Sequence, residues 1–237
     1  MSGRVLVVIP ARLGSTRLAK KPLLRETGKY LIQHVYERAL EIAKADEVVV
    51  ATDHESIVDA VRGFGGAVEM TSPDHRSGSD RVAEVVRRRE ADIVVNLQGD
   101  EPEFDPAHVD ALIAAIRAGG VDMATLHHNR VAGPSEQDNP SVVKLVRDEH
   151  AHAVDFRREP TPGGFPHVGI YAYTQAALAR FCELPQSRRE QERRLEQMRA
   201  LDNGMVIAAV GTPTGSIGID TPEDYAAFVS RVNTSGD

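Results

Sequence analysis

Residues 10–23, PARLGSTRLAKKPL, concentrate what a polyphosphate needs. Gly14 frees backbone amides to face an anion, Ser15 and Thr16 add hydroxyls, and Arg12, Arg17, Lys20 and Lys21 add positive charge. Amides supply geometry to phosphate oxygens and cations offset their charge. The spacing is neither a Walker A loop nor a G-x-G-x-x-G dinucleotide turn. A second stretch, LQGDEP at 97–102, sets Asp100 in a turn directly after an apolar run, a good place for a hard divalent cation, although Gly-Asp also makes ordinary turns. A third, GIDTPED at 218–224, reads first as a helix start, with Asp220 or Thr221 ahead of Pro222 and Glu223. Asp220 gains weight beside Asp100, because phosphoryl chemistry uses a second carboxylate to hold magnesium.

Other stretches carry weaker signals. DHRSGSDR at 74–81 offers the hydroxyls and amides of Ser77, Gly78 and Ser79 to a nucleotide, and Ser79 or Asp80 equally suits a plain helix N-cap. RRLEQMR at 193–199 reads mainly as a solvated helical face with i,i+4 pairs. His127 and His128 are adjacent, so on a strand they point to opposite faces, and both are expected at the surface. The single cysteine, Cys182, excludes an intrachain disulfide and a cysteine zinc site and is expected to be an ordinary half-buried thiol.

These stretches need a scaffold, and the hydrophobic pattern supplies one. Continuous apolar runs at 5–9, 47–51 and 92–97 read as strands buried on both faces, and 67–70 reads as a short fourth strand. Helical patterns at 31–44, 56–64, 79–89 and 106–118 alternate with them, which implies βαβ units and a twisted parallel sheet of α/β class. Beyond Val121 the pattern changes. Strands are expected at 142–147, 167–173 and 206–210, a loop at 157–165, and helices at 186–201 and 222–232. This part reads as a smaller lobe that also carries the dimerisation surface. A single domain over 1–237 is expected, with 1–120 as the nucleotide-binding core, 121–215 as the lobe, and 216–237 as the metal-ligand motif and last helix. Ligands of open α/β sheets bind beyond the carboxyl ends of the strands, and residues 10–22, 52–54 and 98–102 occupy those positions.

The chain has 237 residues and a formal charge of −7, so it lacks the basic footprint of a nucleic-acid binder and must hold anions through local clusters. No stretch is long enough to span a bilayer, and the N-terminal apolar run is too short for a secretion signal. A cytoplasmic location is expected.

In order along the chain, the motifs resemble those of the 3-deoxy-manno-octulosonate cytidylyltransferases, or CMP-Kdo synthetases. The match covers PARLGSTRLAKKP at 10–22, ATDH at 51–54, DHRSGSDR at 74–81, QGDEP at 98–102 and NPSVVK at 139–144. It continues with HVGIY at 167–171, LEQMR at 195–199 and DTPED at 220–224. The resemblance implies a Rossmann-like nucleotidyltransferase fold, with a central, mostly parallel twisted sheet and a smaller dimerisation and substrate lobe, and it implies a homodimer. It also implies attack by the anomeric hydroxyl of a sugar acid, 3-deoxy-D-manno-octulosonate (Kdo), on the α-phosphorus of CTP, giving CMP-Kdo for lipopolysaccharide biosynthesis, and pyrophosphate.

Carried over by motif, Arg12, Ser15, Lys21, Ser79 and Arg81 face the nucleotide, and Asp100 and Asp220 hold Mg2+. Lys21, Asp100, Asp220 and Arg12 carry the catalysis. Arg17, Gln98, Arg158, His167, Tyr171, Glu196 and Gln197 face the sugar acid. The chain departs from the family in two places. Ala19-Lys20 stands where the family has Pro-Gly, and Arg157 replaces a serine in a segment to His167 that is much shorter than usual. The second departure supports an alternative acceptor, another nulosonic or small acid. A non-catalytic nucleotide binder is the remaining alternative, and the presence of Lys21, Asp100 and Asp220 together argues against it.

Overall fold

The computed structural model describes residues 3–14 and 18–234. Its first half alternates β1 (Val5–Ala11), α1 (Leu31–Ala39), β2 (Glu47–Thr52), α2 (Glu55–Gly63), β3 (Val68–Met70), α3 (Gly78–Val86), β4 (Ile93–Asn96) and α4 (Pro106–Ala118). The second half runs β5 (Met123–His128), α5 (Pro134–Gln137), β6 (Lys144–Arg147), β7 (Ala153–Arg157), β8 (Phe165–Thr174), α6 (Gln175–Glu183), α7 (Arg188–Arg193), α8 (Gln197–Asp202), β9 (Ile207–Thr212) and α9 (Pro222–Thr234).

The pattern of β1 shows why the sheet is covered on both sides. Val5, Val7 and Ile9 enter one core cluster and Leu6 and Val8 the other, all five fully buried. Each such side chain stabilises the fold by about 1.5–3 kcal/mol relative to exposure. A strand of this kind has no polar face, so it needs helices above and below.

The central sheet has the order β3-β2-β1-β4-β8-β5-β9. Its β1–β2, β2–β3, β1–β4 and β5–β9 pairs are parallel, and β8 runs against β4 and β5. The order reverses at β1, with β2 on one side and β4 on the other, which makes the β1–β4 boundary the topological switch point. Backbones approach closely there: a Cβ on Gly99 would stand 2.9 Å from the Pro10 carbonyl oxygen, so the turn after β4 tolerates only glycine.

The sheet runs on across residue 120, since β5, β8 and β9 all join it, and only the β6–β7 pair stands off, attached to the start of β8. Two expectations are corrected. The helix expected over 186–201 is two short helices, broken at Arg194, whose φ of 53° is left-handed. His127 is fully buried, because β5 lies between β8 and β9 and packs its ring 4.8 Å from that of Phe165. Alternation along a strand exposes a residue only when one face of the sheet is open to water.

Candidate active site

The crevice at the switch point has a volume of about 320 Å³ and is walled by Arg12, Lys21, Ser77, Arg81, Gln98, Asp100 and Asp220. These residues come from four separate stretches of sequence and meet only because the ends of β1 and β4 are adjacent. Ser15 and Arg17 lie outside the described residues.

Lys21 is the centre of the arrangement. Its Nζ donates to Asp100 Oδ2 at 2.6 Å, to the Ile219 carbonyl at 2.7 Å and to Asp220 Oδ1 at 3.2 Å. A single turn of 3-10 helix, Lys21–Leu23, presents it. The turn is entered through Lys20 at φ 53°, a left-handed position that glycine occupies without cost. This accounts for the family's glycine at the place of Lys20.

The last segment is sewn to the end of β4 by Ile219 N–H donating to the Asp100 carbonyl at 2.9 Å. Asp224 accepts from the Asp220 and Thr221 amides, and Thr221 Oγ1 accepts from Asp224 N. Thr221 and Asp224 thus serve the helix start, and the Asp220 carboxylate reaches Lys21.

Negative charge is in surplus here. Beside Asp100 and Asp220, the Glu101 carboxyl is pushed up to about 7 by burial and by the charges of those two aspartates. Its Oε2 is buried with no hydrogen-bond partner among the described residues. Lys21 meets both aspartates at once, and their hard oxygens suit a divalent cation as well. Among the described residues no cluster of three His, Cys, Asp or Glu side chains makes a ready cage. Magnesium is ordinarily held by one or two carboxylates together with substrate phosphates, which is what this pair offers.

Arg81 is held rather than presented. It is 4 % exposed, donates to Asp53 Oδ2 at 2.6 Å, and also donates to Thr71 Oγ1 and the Ser72 carbonyl. Asp53, in the ATDH motif, is a positioning residue that residue-type reasoning did not single out; its sign was a carboxylate at the end of β2. Truncating it strands a buried guanidinium, a loss of roughly 3 kcal/mol. Asp53→Ala should therefore lower the denaturant midpoint at constant slope, and an unchanged midpoint would show that Arg81 does not depend on it.

Ser77, not Ser79 or Asp80, caps α3, accepting from the Asp80 amide. Ser79 is 2 % exposed and donates from Oγ to Glu196 Oε2 at 3.0 Å, so it meets the LEQMR motif. Asn96, absent from the sequence candidates, continues this chain by donating to Ser79 Oγ at 3.5 Å and accepting from Gln98 Nε2 at 3.3 Å. Burial raises the Glu196 carboxyl, and its Oε1 has no partner among the described residues. Gln197 is buried one residue further on.

His167 and Tyr171 stand on β8 with ring centroids 5.6 Å apart. Burial drives His167 down to about 3, so the ring is neutral. Its Nε2 lies 2.8 Å from Thr125 Oγ1, whose own hydrogen goes to the Ile170 carbonyl at 3.0 Å. The histidine therefore carries its proton on Nε2 and keeps Nδ1 as an acceptor. Tyr171 is raised by burial and by the Glu196 and Glu101 charges, so it stays a protonated donor.

The arginines of 157–158 differ from expectation. Arg157 ends β7 and donates to Asp155 Oδ2 at 2.6 Å, in a cluster that Arg193 joins. Arg158 sends Nε to the Arg193 carbonyl (3.1 Å), Nη1 to Pro140 (3.0 Å) and Nη2 to Arg194 (3.3 Å). Cys182 is half-buried and raised to about 12 by burial, an unreactive thiol.

A mostly parallel sheet whose switch-point crevice joins a basic loop to two aspartates is that of a nucleotidyltransferase. Residues 6–207 match the family described as "Cytidylyltransferase". The chain is 43% identical to the 3-deoxy-manno-octulosonate cytidylyltransferase of Syntrophotalea carbinolica, over 93% of this chain and 95% of that one. It is 42% identical to the 8-amino-3,8-dideoxy-manno-octulosonate cytidylyltransferase of Shewanella sp. strain ANA-3, over 96% and 98%. A solved CMP:2-keto-3-deoxy-manno-octonic acid synthetase complexed with CTP superposes with a TM-score of 0.92 at 41% identity, covering 98% of this chain and 99% of the other. The chain belongs to the 3-deoxy-manno-octulosonate cytidylyltransferase family. No helix among the described residues is long and apolar enough to cross a membrane.

Proposed function

We propose that this chain transfers the cytidylyl group of CTP to the anomeric hydroxyl of 3-deoxy-D-manno-octulosonate, releasing pyrophosphate and giving CMP-Kdo. The observation that carries the reading is the convergence of Lys21, Asp100 and Asp220 in one switch-point crevice. The hydroxyl oxygen bonds to the α-phosphorus as the bond to the bridging oxygen of pyrophosphate breaks. Positioning and charge stabilisation supply most of the catalysis in such transfers. Asp100 and Asp220 would hold Mg2+, which when bound neutralises triphosphate charge and polarises the reacting oxygens. Lys21 and Arg12 answer the remaining phosphate charge, joined by Ser15 and by the amides around Ser77 and Gly78.

On the acceptor side, Gln98, Tyr171, His167, Glu196 and Gln197 face the acid, with Arg17 available to either ligand. Tyr171 donates and His167 Nδ1 accepts, a pairing that sorts sugar hydroxyls by their orientation. Homodimerisation rests on the resemblance.

A second reading keeps the chemistry and changes the acid. It is favoured by the short 157–165 segment and by the relative named for the 8-amino analogue, nearly as similar as the Kdo-named ones. Pyrophosphate release with CTP, Mg2+ and a panel containing Kdo, its 8-amino analogue and other nulosonic acids decides between them. Efficient release with Kdo is expected. Release with another acid and not with Kdo establishes the second reading, and no release with any acid overturns both.

A further inference from the structure

Lys144 is fully buried, and among the described residues it hydrogen-bonds no carboxylate. Its Nζ donates to the carbonyls of Arg158 (2.7 Å), Val142 (2.9 Å) and Asn139 (3.2 Å), which uses all three ammonium hydrogens. Burying a charge in this way is costly, and an apolar side chain of similar length fills the same space more cheaply. What the ammonium alone can do is gather carbonyls. The ones it gathers belong to the 139–142 loop and to the end of β7.

From there the connection continues in one direction. The side chain of Arg158 ties Pro140, in the same loop, to the carbonyls of Arg193 and Arg194. Arg193 ends α7 and Arg194 forms the left-handed break before α8, held at a φ of 53° that costs energy for a residue with a Cβ. The chain leaves that break directly into Leu195, Glu196 and Gln197. The short segment after β7 closes over Lys144 and is itself pinned. Thr161 N–H donates to Gln137 Oε1 at 2.6 Å, Gln137 Nε2 donates to the Thr161 carbonyl at 3.0 Å, and Ala132 N–H donates to the Gly164 carbonyl at 2.9 Å. A Cβ on Gly164 would stand 3.0 Å from that of Lys144, so the turn fits this lysine closely.

We propose that Lys144 is a positioning residue for the acceptor half of the site, acting through Arg158 on the 193–197 turn that carries Glu196 and Gln197. The proposal rests on the reading of those two residues as acid-binding. It assigns to a buried bracket the placement of acceptor groups in a chain whose loop over the acid is short. It also gives Arg158 a role set by backbone carbonyls, distinct from direct contact with the acid.

The test uses the full chain and three variants, Lys144→Met, Arg158→Met and the double substitution, assayed with the panel acid that the wild-type protein turns over best. Lys144→Met is expected to raise the KM for the acid about tenfold, with the KM for CTP within about twofold, because only one half-site loses its geometry. The double variant is expected to lose no more acid affinity than Arg158→Met alone, since residues acting in series are not additive. Hydrogen exchange reads the same coupling without turnover: in Lys144→Met the amides of 194–198 should exchange faster while those of β1 and 10–14 stay as in wild type. Should Lys144→Met not fold, Lys144→Gln, which retains two donors, takes its place. Equal rises in both KM values, additive losses in the double variant, or unchanged exchange at 194–198 would each overturn the proposal. Failure of the wild-type protein with every acid overturns the functional reading instead, and the exchange result then judges the bracket by itself.

Discussion

Asp100→Asn should turn over roughly a thousandfold or more slowly at saturating CTP, acid and Mg2+, the scale of losing a preorganised charge at a reacting phosphate. The carboxylate has two tasks that an amide cannot share. It fixes Lys21 at 2.6 Å, and with Asp220 it offers hard oxygen to a divalent cation. The same substitution should leave the fold as stable as before, or slightly more stable. Asp100 is one of the charges that hold the buried Glu101 carboxyl up near 7, so neutralising it relieves a repulsion within the folded state. Loss of activity without loss of stability marks a site where like charges are kept together for function. Steady-state turnover and thermal melting on one preparation check both halves, together with a magnesium titration, whose midpoint should rise. Near-normal turnover at saturating Mg2+ would remove Asp100 from the mechanism.

Lys21→Ala is the second large effect, a loss of about 10²–10³ in kcat, or about 2.7–4 kcal/mol of transition-state stabilisation. Charge builds on the phosphates during transfer, and an ammonium fixed between two carboxylates needs little reorganisation to meet it. Removing it also takes an ion-pair partner from Asp100 and Asp220. Asp220 is 46 % exposed and its arm of the pair is screened, so the cost in stability is modest beside the cost in rate. One consequence separates this account from a purely structural lysine. Mg2+ should raise the melting temperature of Lys21→Ala more than that of wild type, because the ion then meets the same carboxylates without a competing cation. A large fall in melting temperature with intact specific activity would make Lys21 structural.

Much of this was legible in the chain. The β-branched runs of the first half predicted strands buried on both faces, and β1 is buried to its last alternate residue. The rule that ligands gather beyond strand ends picked out residues 10–22 and 98–102, and the crevice lies between them. The second half was harder to read. No element is expected from the sequence at β5, β7, α5 or α6, and β8 pairs with β4, β5 and β6, with a register shift opposite Thr125 and Leu126. Arg157 and Arg158 looked alike as free cations before a short loop. The first is taken by Asp155, two residues back on its own strand, and the second by carbonyls that come from 18, 35 and 36 residues away.

The sequence by itself determined which residue types could do chemistry and which strands would bring them to one edge. Hydrophobic period and motif order are local properties, and they are written in the chain. Only the tertiary structure decided which candidates face the crevice and which serve as struts. Asp53 buttresses Arg81, Ser79 meets Glu196, His127 sits in the core, and Lys144 and Arg158 hold carbonyls. Each of these depends on a partner distant in sequence, and the cost of leaving a buried polar group unpaired is settled only when the chain has closed around it.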